Sequence, residues 1–327
     1  LRKEILSGAS YNSSARHPPP HCLPGTRLGI LNLCLYFIAN CSGQNQMRWV
    51  VGEAGVGKSA IMQSVAESPK LQVAYHASIF FSVQGRDDGT KAIATLCYQL
   101  AAKSVPYRQA VENEVSRDPS LFQSSMTVQF NKLIVKPFIH HPSLKSAGRI
   151  LIIIDGLDEC KNSRTQLELL RLISGFCIKY PSSPLVWLIA SRPERHITSF
   201  FARANVMPAY EKEEILVDSD DARADVERFL RHKMAAISEE ASDSLDPRWP
   251  EEPDFWKLAN AADGLFAYAH TFIRYIGDRD IGNPATQLSK VLKLIDNHPM
   301  TGIPRKGHPM ALLDALYAQS LFDVPDK

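Results

Sequence analysis

Apolar and polar positions along the first two thirds of the chain follow a pattern typical of strands separated by helices. Runs that predict strands occupy residues 47–51, 73–83, 150–154, 185–190 and 215–217. The run ILIII at 150–154 is continuous, which is typical of a parallel strand covered on both faces. Strands that alternate with helical segments predict a parallel sheet flanked by helices, joined by right-handed crossovers.

Helical spacing of apolar residues fills the stretches between these strands, at residues 28–40, 59–68, 90–103, 124–136, 164–179 and 194–203. Beyond residue 218 no strand pattern returns, and apolar residues share helix faces, as Val226, Phe229 and Leu230 do. The same spacing marks residues 265–276 and 288–295. We therefore expect an extended N-terminal segment at 1–27, an α/β domain at 28–218 and a smaller all-α domain at 219–327.

Composition narrows the range of partners. The 327 residues include 37 basic and 35 acidic side chains, so no global field attracts nucleic acid or a membrane. The most apolar run, at 28–39, is shorter than the roughly twenty residues that span a bilayer. The six cysteines have no paired spacing, which indicates reduced thiols in a cytoplasmic protein. Because the chain begins at Leu1 and not at Met, we expect it to be part of a longer protein.

The stretch GEAGVGKS at residues 52–59 fits the phosphate-binding pattern GxxxxGK[ST] and lies between a predicted strand and a predicted helix. Gly52, Gly55 and Gly57 are expected to adopt backbone angles closed to other residues and to let phosphate oxygens approach main-chain N–H groups. Lys58 reaches the outer phosphates, and the Ser59 hydroxyl is placed to ligate Mg²⁺. The predicted nucleotide-binding set is Gly52, Glu53, Ala54, Gly55, Val56, Gly57, Lys58, Ser59 and Ala60.

Acidic residues and an arginine follow two of the predicted strands. Asp155 comes directly after the ILIII run, at the strand end that faces the ligand crevice of an open α/β sheet. We expect Asp155 to hold Mg²⁺ opposite Ser59. A second carboxylate, Glu159 or else Asp158, is suited to orient or deprotonate the attacking water. Arg192, after the run at 185–190, is a candidate sensor of the γ-phosphate.

Three motifs in this order, GEAGVGKS, ILIIIDGLDE and LIASRPER, closely resemble those of the NACHT family of signal-transduction NTPases, which belong to the STAND class. The segments CLPGTR, FFSVQGRDDG, YQLA, GLFAYAHTFIRYI and LDALY look like those of nephrocystin-type NACHT proteins, which are abundant in fungi. The resemblance implies a P-loop NTPase fold, with a three-layer parallel sheet followed by a helical domain.

The resemblance also implies a function: an NLR-like nucleotide switch of the innate-immunity or incompatibility type. ADP would hold the resting form, ATP would bring about self-association, and slow Mg²⁺-dependent hydrolysis would reset the switch. Thr26 and Arg27 would lie near the base. The GLF sequence at 264–266 lacks the proline that relatives often carry there, and the chain ends before the winged-helix and repeat domains through which partner proteins would act.

The residues alone leave alternatives open. Asp158 and Glu159 are also suited to cap a helix or face solvent, and Arg192 to pair with Glu194. A P-loop kinase or motor ATPase, or a scaffold stabilised by nucleotide without hydrolysis, would use the same phosphate loop. A kinase needs an arginine-rich lid and a motor a basic strand channel, and neither pattern follows the predicted sheet.

Overall fold

A single parallel sheet forms the centre of the first part of the chain. The computed structural model describes residues 2–241, 245–280 and 282–297. The five strands are β1 (Met47–Val51), β2 (Tyr75–Phe80), β3 (Ile150–Asp155), β4 (Leu185–Ser191) and β5 (Tyr210–Glu214). They lie in the order β2-β3-β4-β1-β5, and every neighbouring pair is parallel. The predicted α/β fold class is therefore confirmed.

Helices connect the strands and continue after them. In the first part they are α1 (Leu28–Asn40), α2 (Lys58–Ala66), α3 (Ala92–Lys103), α4 (Val105–Arg117), α5 (Met126–Phe130), α6 (Lys136–His140), α7 (Pro142–Lys145), α8 (Ser163–Lys179) and α9 (Arg195–Phe201). A π-helical turn, Asn131–Val135, joins α5 to α6. After the sheet come α10 (Asp220–Glu240), α11 (Glu252–Ala262), α12 (Phe266–Ile276) and α13 (Pro284–Asn297).

The three inner strands are buried along their whole length. Each has a neighbour on both sides and helices on both faces, which is why β3 and β4 are continuous apolar runs. The sheet core includes Trp187, which stacks on Phe130 with ring centroids 6.3 Å apart. Burial of these strands fixes where their carboxyl ends lie, and the candidate site is built there.

The last strand and two helices differ from the sequence prediction. β5 consists of residues 210–214, YEKEE, and not of 215–217. This charged edge strand pairs with β1, where buried Arg48 forms ion pairs with Glu211 and Glu213. The pattern did not predict α4, whose face is only weakly apolar, or α11. The helix predicted at 124–136 is divided between α5, the π-helical turn and α6.

The N-terminal segment packs along the free edge of β2, in addition to forming two short 3₁₀ turns. The Phe80 N–H donates to the Ala9 carbonyl oxygen at 2.9 Å, and the Tyr11 N–H donates to Ser78 Oγ at 2.9 Å. An edge strand otherwise presents unpaired backbone groups. The segment therefore accepts one backbone N–H of β2 and donates to one of its side chains.

Internal contacts divide the chain into two compact units. The first contains Leu1–Cys22, Arg27–Glu53 and Lys58–Ile215, and the second contains Leu23–Thr26, Ala54–Gly57 and Leu216–Lys327. Within the second, α10 to α13 surround a core of their own, with Val226, Leu230, Phe255, Tyr268, Phe272 and Val291 among its members. The LDALY segment lies outside the described residues. The domain boundaries at 27 and 218 stay predictions.

No helix in the described ranges is long and apolar enough to cross a membrane.

Candidate functional site

The glycine-rich loop lies between the end of β1 and the start of α2. Gly55 and Gly57 have φ angles of 80° and 92°, which side-chain-bearing residues rarely adopt. Gly52 lacks such an angle, so that part of the expectation was wrong. Its N–H points to the Ser191 carbonyl oxygen at 3.4 Å, which continues the pairing of β1 with β4. The left-handed turns therefore lie in the second half of the loop.

Lys58 begins α2 and bends back over the loop. Its Nζ donates to the carbonyl oxygens of Gly52 at 2.6 Å and Glu53 at 2.7 Å. Burial lowers the pKa of Lys58, while the negative charges of Asp158 and Asp155 raise it. The ammonium is thus held in a partly desolvated place close to two carboxylates, where its attraction for an anion is stronger than in water.

Asp155 and Ser59 form the buried centre of the site. Asp155 is 3% exposed, and the Ser59 side chain lies close enough to act on its carboxylate. Burial raises the pKa of Asp155 to about 6, although the Ser59 hydroxyl and the charges of Arg16 and Lys58 lower it. The Oδ1 atom is buried without a hydrogen-bond partner. A carboxylate with an unsatisfied oxygen beside a hydroxyl fits Mg²⁺, a cation that prefers oxygen ligands.

Asp158 and Glu159 follow β3 on a short 3₁₀ turn and have different surroundings. The Asp158 side chain is 6% exposed; its Oδ1 accepts from the Arg192 N–H at 2.9 Å, and its Oδ2 lies 3.2 Å from Arg192 Nε. The Glu159 side chain is 31% exposed, and its Oε1 is 3.9 Å from Arg192 Nη2. Asp158 is thus occupied in holding Arg192, whereas Glu159 is more accessible.

Arg192 lies directly after β4, as expected from the sequence. Its side chain is 46% exposed and pairs with Asp158, not with the adjacent Glu194 that the sequence offered as an alternative. The Trp49 Nε1–H donates to Ser191 Oγ at 2.9 Å, which fixes the strand end from which Arg192 departs. The structure thus brings Lys58, Ser59, Asp155, Asp158, Glu159 and Arg192 to one edge of the sheet.

The remaining predicted binding residues lie in the loop and before α1. Val56 is fully buried, Glu53 precedes the left-handed turns, and Ala60 lies in the first turn of α2. Thr26 and Arg27 are buried, and Thr26 Oγ1 donates to the Leu23 carbonyl oxygen at 2.7 Å. Their place beside a nucleotide base, like the roles of the other residues, stays a prediction.

Sequence reasoning missed Arg16 and Gln63. Arg16 Nη1 donates to Gln63 Oε1 at 2.6 Å, and its guanidinium carbon lies 3.6 Å from the centroid of the Phe80 ring. The two residues are 47 positions apart, so no local pattern connects them. A buried polar position in the middle of an otherwise apolar face of α2 was the available signal.

Family comparison adds to this geometry. Residues 37–192, just under half of the chain, match the model of the family described as "Nephrocystin 3, N-terminal". The matched stretch begins in α1 and ends at Arg192, so it contains the phosphate loop, the DGLDE motif and the candidate sensor. The resemblance drawn from the motifs is thereby confirmed. None of the curated proteins compared with the chain matches it.

Several solved structures resemble most of the chain at low identity. A Walker-type ATPase of Pyrococcus abyssi has a TM-score of 0.47 and 14% identity, over 94% of this chain and 88% of that one. C. elegans PCH-2 has a TM-score of 0.46 and 12% identity, over 84% of this chain and 70% of that one. The FIGL-1 AAA domain in complex with ADP has a TM-score of 0.46 and 12% identity, over 94% of this chain and 85% of that one. The fold class rests on the strand order of the sheet and not on these similarities.

Proposed function

We propose that the chain binds ATP together with Mg²⁺, hydrolyses it slowly and acts as a nucleotide-dependent signalling switch. The observation that carries the proposal is the buried Asp155 carboxylate, which has an unpaired Oδ1, contacts Ser59 and lies within the electrostatic reach of Lys58. A lysine, a hydroxyl and a carboxylate in this order around a glycine-rich loop suit a metal-bound triphosphate.

Each residue has a role in this proposal. Loop N–H groups and Lys58 bind the phosphates, while Ser59 and Asp155 hold the metal. When bound, Mg²⁺ would neutralise charge on the outer phosphates. Glu159 orients the attacking water, because it is the more accessible of the two nearby carboxylates. Arg192 senses the γ-phosphate, and Asp158 positions it through two contacts.

The switch function rests on the nephrocystin-type match and on the arginine. Arg192 is bound to Asp158 and must exchange this partner for a phosphate oxygen, which suits a slow enzyme with two states. We propose ADP for the resting state, self-association for the ATP-bound state, and protein partners inside the cell.

A single-turnover assay with radiolabelled ATP tests hydrolysis. The wild type should release phosphate slowly, and Lys58→Ala should release none because the phosphates lose their cation. Exposed Lys70 follows the same helix, and Lys70→Ala is a matched control that should behave as the wild type. ATP bound but never cleaved by the wild type would instead indicate a nucleotide-stabilised scaffold.

A further inference from the structure

The N-terminal segment places Arg16 against α2 and β2. Arg16 Nη1 donates to Gln63 Oε1 at 2.6 Å and to the Tyr11 carbonyl oxygen at 3.0 Å, and the guanidinium stacks on Phe80. Gln63 is fully buried on α2, one helical turn after Ser59. Two elements of the phosphate site, the helix and the sheet edge, therefore fix this guanidinium.

Phe80 brings Arg16 close to Asp155. Phe80 and Asp155 are register partners in the parallel pair of β2 and β3, so their side chains project from the same face of the sheet. The guanidinium carbon is 3.6 Å from the Phe80 ring centroid. The two charges act on each other: burial lowers the pKa of Arg16, and the negative charge of Asp155 raises it.

The hydrogen-bond partners of Arg16 are neutral. The amide of Gln63 and the carbonyl of Tyr11 orient the guanidinium without cancelling its charge. Among the described residues no carboxylate oxygen forms an ion pair with Arg16 within 4.0 Å. A half-buried cation with neutral partners adds positive potential to its surroundings, and here these include the metal-binding side of the site.

Packing alone does not require this arrangement. A leucine or methionine would cover Phe80 without the cost of desolvating a guanidinium. The fixed charge has its largest effect on the ligand with the most negative charge, and the magnesium complex of ATP carries one more negative charge than that of ADP.

Building on the proposed function, we propose that Arg16 is a positioning residue of the nucleotide site that favours the triphosphate over the diphosphate. It acts through its charge on the Ser59–Asp155 pair. The N-terminal segment is then part of the specificity of the site and not only a cover for β2.

Calorimetric titration of the full chain with Mg·ATP and Mg·ADP tests the proposal. In Arg16→Gln the ratio of the ADP Kd to the ATP Kd should fall about fivefold, the size expected for one unit charge near a half-buried cation. Arg16→Lys keeps the charge and should stay within about twofold of the wild-type ratio. Arg117, 71% exposed on α4, gives the matched control: Arg117→Gln should leave the ratio unchanged.

A purely structural role predicts another result. If Arg16→Gln lowers the affinity for both nucleotides by the same factor, or changes neither affinity, the inference is overturned while the proposed function stands. Arg16→Met keeps the packing on Phe80 and removes the charge, so it gives the same test if the glutamine variant unfolds. A thermal melt without nucleotide identifies such unfolding. A wild type that binds neither nucleotide would overturn both proposals.

Discussion

Separating Asp158 from Glu159 tests which carboxylate has the structural role and which the chemical one. Asp158 makes two contacts with Arg192, a hydrogen bond from its N–H at 2.9 Å and an ion pair with Nε at 3.2 Å. A hydrogen bond to a buried charged acceptor contributes about 1.5 kcal/mol to stability. The ion pair adds about 0.5 kcal/mol, because the guanidinium is 46% exposed and its charge is screened.

Asp158→Ala should therefore lower the free energy of unfolding by about 2 kcal/mol. Glu159→Gln should change it by less than about 0.5 kcal/mol, since Glu159 is 31% exposed and its nearest arginine nitrogen is 3.9 Å away. Urea titration followed by tryptophan fluorescence measures both changes. The two substitutions are thus predicted to lower the free energy of unfolding by different amounts, although the residues are adjacent.

The rate of ATP hydrolysis should show the opposite order, with the larger loss in Glu159→Gln. Loss of a group that orients or deprotonates water slows hydrolysis about 100-fold or more, so Glu159→Gln should bind ATP normally and cleave it slowly. Asp158→Ala should retain more of the single-turnover rate than Glu159→Gln at a temperature where it is folded. Normal cleavage by Glu159→Gln, together with cleavage lost in a stable Asp158→Ala, would refute the assignment.

Three further predictions concern the loop, the edge strand and the metal. Gly57→Ala forces a side chain onto a φ of 92°, which costs about 1–3 kcal/mol, so ATP binding measured by calorimetry should weaken; unchanged affinity would show that the loop relaxes freely. Arg48→Ala removes the cation that pairs with Glu211 and with Glu213, which is 3.0 Å away. Urea titration should show a free energy of unfolding lower by about 2 kcal/mol. The control Arg117→Ala removes an exposed arginine and should lower it by less than about 0.5 kcal/mol. Chelating Mg²⁺ with EDTA should weaken ATP binding at least about tenfold, and restored Mg²⁺ should reverse the loss; equal affinity in both buffers would exclude a metal-dependent site.

Local patterns predicted much of the fold. β1 and α1 have the bounds expected from the sequence, and the apolar runs of β3 and β4 were found because burial on both faces gives a continuous signal. β5 was displaced, because its charged residues are stabilised by Arg48 on a neighbouring strand, and no local pattern reports that partner. The helix α4 was missed because its polar sequence gives weak periodicity.

In the candidate site, too, the parts that depend on adjacent residues were predictable from the sequence. The phosphate loop and Asp155 carry their signal in adjacent residues, and the structure brings them together with Arg192. The pairing of Asp158 with Arg192 joins positions 34 apart, and that of Arg16 with Gln63 joins positions 47 apart. Such pairs depend on the order of the strands and on the path of the N-terminal segment, which single-sequence reasoning does not give.

Calorimetric titration of ATP into the wild type and Asp155→Asn, each in Mg²⁺, tests the central claim most directly. The buried Asp155 oxygen without a partner predicts saturable binding by the wild type and a loss of at least about tenfold in affinity for the variant, which keeps the shape of the side chain but not its charge. A thermal melt shows that both proteins are folded. Equal affinity of the two folded proteins would contradict a magnesium–nucleotide site at Ser59 and Asp155.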